Sequence, residues 1–168
     1  MKKFVTLTML LIAALTTQAQ SLIGRWKYPL QVQGEKVTLI MGFNADKTAT
    51  YELQTTNTSE ELGALTFSFI VKGTYVVDGK DLTVNLENTD CEIDFVEIQW
   101  SEALKASFKE NPEREKTIIN NMRGAMENGK AKFLKTVEKV NEFNIDKITY
   151  TTLELSDDDS AISLTRIK

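Results

Sequence analysis

The chain has 168 residues, 24 acidic against 20 basic, and a net charge of −4. That length suits one domain with a core of its own, and the mild acidity leaves nucleic-acid binding without an electrostatic footprint. Histidine is absent and Cys91 is the single cysteine, so the commonest general base and metal ligand are missing and no internal disulfide can form.

The first residues have the three-part layout of a secretory signal. Met1-Lys2-Lys3 is a basic start, Phe4 to Leu15 is an apolar run broken by threonines, and Thr17-Gln18-Ala19 puts small residues at the −3 and −1 positions of a cleavage site. The apolar run is too short for a transmembrane span. The expectation is a signal peptide over 1–19 and a mature domain over 20–168. The protein is then exported, periplasmic or extracellular, with no integral membrane span after cleavage.

Short alternating strands follow. Leu22, Gly24, Trp26 and Tyr28 share one face of the first, and Val37, Leu39, Met41 and Phe43 one face of the second. Asn44 to Lys47 reads as a tight turn, with Asn44 and Asp46 able to bond their own backbone. The third strand carries Ala49, Tyr51 and Leu53. The fourth carries Leu65, Phe67, Phe69 and Val71, then Gly73, Tyr75 and Val77, with Gly73 a candidate bend or bulge. Asp78-Gly79 suits a hairpin turn needing positive φ. Leu82, Val84 and Leu86 form the fifth strand. Cys91, Ile93 and Phe95 begin a sixth, whose pattern slips near Phe95 to Val96, Ile98 and Trp100. The alternation marks Cys91 as a buried thiol.

The period then becomes helical. Leu104 and Phe108 are helix-spaced, Asn111-Pro112 fits a helix start, and Ile118, Met122, Met126, Phe133, Val137 and Val140 stay in phase from Thr117 to Asn144. Gly124 and Gly129 weaken this face, so one long helix or two shorter ones fit. Strands return with Ile148, Tyr150 and Thr152, then a hairpin at Ser156 to Ser160, then Ile162, Leu164 and Arg166. The expected fold is mainly β: one antiparallel up-and-down barrel of about eight strands. A helical insertion at about 101–143 lies between candidate strands six and seven. Closure removes the strand edges.

Gly24-Arg25-Trp26 resembles the G-x-W element of lipocalins and their calycin relatives. The stretches MGFNADKTATYEL and GTYVVDGKDLTVNL look like small secreted lipocalin-like domains of Gram-negative bacteria. The resemblance implies that Trp26 packs at the closed end of an eight-stranded barrel, with an arginine of the last strand across it. Arg166 has the inward parity for that role. Gly24, Trp26 and Arg166 are therefore the expected barrel seal. The insertion departs from the resemblance, because lipocalins carry their main helix after the eighth strand.

Chemistry has few candidates. Ser156 to Ser160 gathers oxygens that calcium could use but lacks the spaced ladder of a calcium loop, and reads as a solvated hairpin tip. Glu92 and Asp94 read as the outer face of a half-buried strand. No nucleophile elbow, phosphate loop or Cys/His arrangement is present. Catalytic residues, metal ligands and cofactors are accordingly not expected, and neither is an enzyme. The resemblance implies a binding protein for a small hydrophobic ligand, with Met41, Tyr51, Phe67, Phe69 and Tyr75 lining the interior. The alternative is a filled barrel. It would serve as a non-enzymatic envelope or periplasmic interaction module whose helical insertion meets an unknown protein partner.

Overall fold

The computed structural model describes residues 22–32 and 35–168; the expected signal peptide lies outside them. Among the described residues nine strands and two helices follow one another: β1 (Gly24–Val32), β2 (Glu35–Phe43), β3 (Thr48–Ser59), β4 (Gly63–Asp78), β5 (Asp81–Leu86), β6 (Glu92–Trp100), α1 (Glu102–Glu110), α2 (Glu113–Leu134), β7 (Val140–Ile148), β8 (Thr152–Ser156) and β9 (Ala161–Arg166). Eight strands close into an antiparallel ring, β1-β2-β3-β4-β5-β7-β8-β9 and back to β1. β6 lies outside the ring, paired to β4 alone.

The ring forms because inward positions are apolar at period two. Leu82, Val84 and Leu86 of β5 are buried while Asp81 and Asn85 face solvent. The turns are set locally. Asp46 Oδ1 accepts from the Thr48 amide at 3.0 Å, Lys47 takes φ 70°, and Gly79 takes φ 62° in the β4–β5 hairpin.

β4 is the strand on which the topology turns. Its sixteen residues keep β3 along one edge. Along the other edge they pair with β6 as far as Ile70 and with β5 from Gly73 onward. The changeover falls at Gly73, where a Cβ would collide with the carbonyl of Asn85. The slip expected near Phe95 is a bulge: Phe67 pairs with Phe95 and Thr66 with Glu97, leaving Val96 as the extra residue.

Three expectations need correction. The strands of the ring number eight, but not the eight read from the pattern, because β6 is off the ring and β7 takes its place. The segment from Val140, read as the end of a helix, is a strand. Its residues fit both periods. Phe143 opposite Leu82 and Ile145 opposite Leu155 let β7 cover the edges of β5 and β8, which no helix could do. Ile148, Tyr150 and Thr152 are likewise not one strand. The chain turns there, with the Thr149 hydroxyl accepting from the amides of Thr151 and Thr152, and Tyr150 is 81% exposed.

The helices part at Asn111-Pro112, where proline cannot supply an amide to continue α1. α2 then runs unbroken through Gly124 and Gly129. Ser101 caps α1 by accepting from the Leu104 amide. Trp100 ties the pair to the sheet: its Nε1 donates to Glu115 at 2.8 Å and its ring meets Phe108 edge-on at 5.2 Å. No helix of the described residues is long and apolar enough to cross a membrane.

The closed end is built as the parity implied. Trp26 is fully buried and donates through Nε1 to the Leu22 carbonyl at 2.8 Å. The guanidinium carbon of Arg166 lies 4.1 Å from the indole centroid, and Nη1 donates to the Ile23 carbonyl at 2.7 Å. Gly24 sits at φ 139°, and a Cβ there would collide with Arg166 Nη1. Trp26→Ala is expected to cost about 3–5 kcal/mol in denaturant unfolding; a loss within error would show that the indole is not part of the core.

Candidate functional site

The β3–β4 and β8–β9 turns, and the excursion from β5 to β7, lie at the barrel end opposite Trp26. The register aligns the inward side chains of four neighbouring strands in rows. Trp26, Met41, Tyr51 and Val71 form one row, then Tyr28, Leu39, Leu53 and Phe69, then Leu30, Val37, Thr55 and Phe67. In the first row only Tyr51 keeps accessible surface. In the second, Tyr28, Leu53 and Phe69 keep it, and in the third Leu30, Val37 and Thr55. An inward side chain of a closed ring reaches solvent only where the interior is open. The inward side chains are therefore buried around Trp26, while Tyr51, Tyr28, Leu53, Phe69, Leu30, Val37 and Thr55 stay partly accessible.

α2 roofs part of this opening. Phe133 stacks on Phe69 with centroids 5.3 Å apart, and Phe69 meets Phe67 edge-on at 5.7 Å. The helix comes close because residue 129 is glycine; a Cβ there would stand 3.3 Å from Phe69 Cζ. Arg123 lies over the ring of Phe95, and Lys130 pairs with Asp90 and Glu127. Of the helix residues in phase, Phe133 is buried while Ile118, Met122 and Met126 are half-buried. Val137, in the turn beyond α2, is also buried.

The five residues expected to line the interior thus divide. Tyr51 and Phe69 reach the open half. Met41, Phe67 and Tyr75 are buried. Tyr75 spends its hydroxyl on the Asn44 carbonyl at 2.8 Å and its ring on Phe43. Tyr28, Leu30 and Leu53 join the open half instead. Their parity with Trp26 and Tyr51 was a signal in the sequence, but depth along a strand was not. Among the described residues the hydroxyls of Tyr28 and Tyr51 make no hydrogen bond. Burial raises the phenol pKa of Tyr51, and the charge of Glu138 raises it further.

Other features lie outside the barrel. A groove of about 690 Å³ crosses the outer face of β1, β2, β3, β4 and β6. Beneath it Glu52 is buried, held by Arg25 at 2.5 Å and by the Ser68 hydroxyl at 2.6 Å. An acidic groove of about 580 Å³ lies beside β5, β7 and the β8–β9 turn. In that turn Asp157 accepts from the amides of Asp159 and Ser160, which lowers its pKa. Glu92 and Asp94 are exposed on the outer face, as their alternation indicated. Cys91 is a free, buried thiol whose pKa is raised, chiefly by burial. Among the described residues no cluster of three or more carboxylate or thiol side chains is arranged to hold a metal ion.

A closed eight-stranded antiparallel ring, sealed by an arginine of the last strand over a tryptophan of the first, is the arrangement that the resemblance to lipocalins implies. Among solved structures the chain is similar to a lipocalin-like protein from Bacteroides uniformis, at 13% identity, covering 88% of this chain and 99% of that one, with a TM-score of 0.39. It is also similar to an uncharacterized protein from Bacteroides eggerthii, at 13% identity, covering 87% and 99%, with a TM-score of 0.41. No protein-family model and no curated protein sequence matches the chain.

The folded Tyr51 phenol keeps its proton above the ordinary value of 10.0. Its contribution to stability is therefore complete below that pH and is lost as pH rises through the folded pKa. Tyr51→Phe should remove one late-titrating phenol from the ultraviolet pH titration and reduce the alkaline fall in Tm. Loss of a phenol that titrates at the ordinary value, with the late-titrating ones kept, would place the Tyr51 phenol in water.

Proposed function

We propose that this is an exported, non-enzymatic binding protein that holds a small apolar molecule in the open half of its barrel. One observation carries the reading: Tyr28, Leu30, Tyr51, Leu53 and Phe69 point inward yet keep accessible surface. A concave, mostly apolar enclosure with a few polar groups is what small-molecule sites share. The stacked Phe69 and Phe133 supply a roof from the chain itself. The basic start and apolar run over 1–19 support export, and mass spectrometry of protein from its own host should find a chain beginning at Gln20.

The second reading, an interaction module with a filled barrel, draws on buried Met41, Phe67 and Tyr75. It also draws on the helices, whose 31 residues include one that is buried, Phe133. Binding separates the two. An environment-sensitive apolar dye should bind saturably, one per chain, and raise Tm by mass action. Leu53→Trp should fill the opening and abolish dye binding while the barrel stays folded by circular dichroism. Absence of saturable binding to the parent chain would favour the interaction module.

A further inference from the structure

We infer that the molecule held in the barrel has an uncharged, hydrogen-bonding polar end and is not a fatty acid, because the inward wall offers unused hydroxyls and no available cation. The inference rests on the binding reading above. Along the described strands the inward register positions are apolar or neutral except for Glu35, the first position of β2, and Arg166, the one cation among them. That guanidinium is at the sealed end, engaged with Trp26 and the Ile23 carbonyl beneath the packed core. The cations of α2 that face the sheet are also engaged, Lys130 between Asp90 and Glu127 and Arg123 on Phe95.

A carboxylate entering this space would leave water with no cation to meet it, which is among the costliest burials in a protein. It would also approach Glu138, which is near enough to Tyr51 for its charge to act on the phenol. An alcohol or similar neutral group meets the opposite situation. The Tyr28 and Tyr51 hydroxyls can each donate and accept, and neither has a partner among the described residues. A ligand hydroxyl would satisfy them and itself together.

The test is displacement of a bound apolar dye by decanol and by decanoate at about pH 8, where the acid is ionised. Decanol should bind at least tenfold more tightly. Tyr51→Phe, checked for folding by circular dichroism, should shrink that ratio by weakening decanol. Glu138→Gln should shrink it by strengthening decanoate. Dye binding with decanoate as tight as decanol overturns the inference and leaves the binding reading standing. If neither the dye nor either amphiphile binds, the binding reading falls and the inference falls with it.

Discussion

The stacking of Arg166 on Trp26 joins the two ends of the sheet, and the architecture depends on it. β1 and β9 meet over two residue pairs only, Trp26 with Arg166 and Lys27 with Thr165, extended by the Ile167 amide donating to the Arg25 carbonyl. So short a ladder is a weak closure on backbone bonds alone. The side chains strengthen it: a fully buried indole, a guanidinium 4.1 Å above it, and a carbonyl of residue 23 to take one of its protons. A charge on an apolar face is costly unless it is used this way. With this end plugged, the large apolar side chains of the neighbouring strands pack against it.

The second organising element is β4. A strand of sixteen residues is longer than one neighbour can cover. Its lower part closes the ring through β5, and its upper part carries β6 beyond the ring. The chain therefore leaves the barrel at its open end, runs through both helices and returns at Val140 to complete the ring. The insertion is placed over the opening by connectivity, and Phe133 is held there by Phe69. Fold and site follow from the same bifurcation. The strand that lets β6 leave also presents Phe69 to α2.

The outer surface shows how the same sheet handles charge. Glu52 is buried on the outward face but surrounded by donors, with Arg25 on one oxygen and Ser68 on the other. That arrangement offsets its desolvation and leaves the net contribution small, since a buried pair seldom gains much over apolar packing. The inward register carries one cation, Arg166, which is used on Trp26.

Much of this was legible in the sequence, for local reasons. Period-two alternation determined which side chains face inward, because successive residues of a strand point to opposite sides whatever the strand pairs with. It placed Trp26, Tyr51, Phe69 and Arg166 on the inner face, located the Gly79 turn, and showed the slip at Phe95. The helical insertion was marked by its change of period. Three matters were not legible. Val140 to Ile148 fits a helix and a strand equally well, and the unpaired edges of β5 and β8 selected the strand. β6 alternates like its neighbours, and its exclusion from the ring depends on where along β4 it finds space. The inward residues also look alike in sequence, yet Met41 and Tyr75 are packed in the core while Tyr51 and Tyr28 face the opening. Depth within a barrel depends on register between strands distant in the chain, and only tertiary packing sets it.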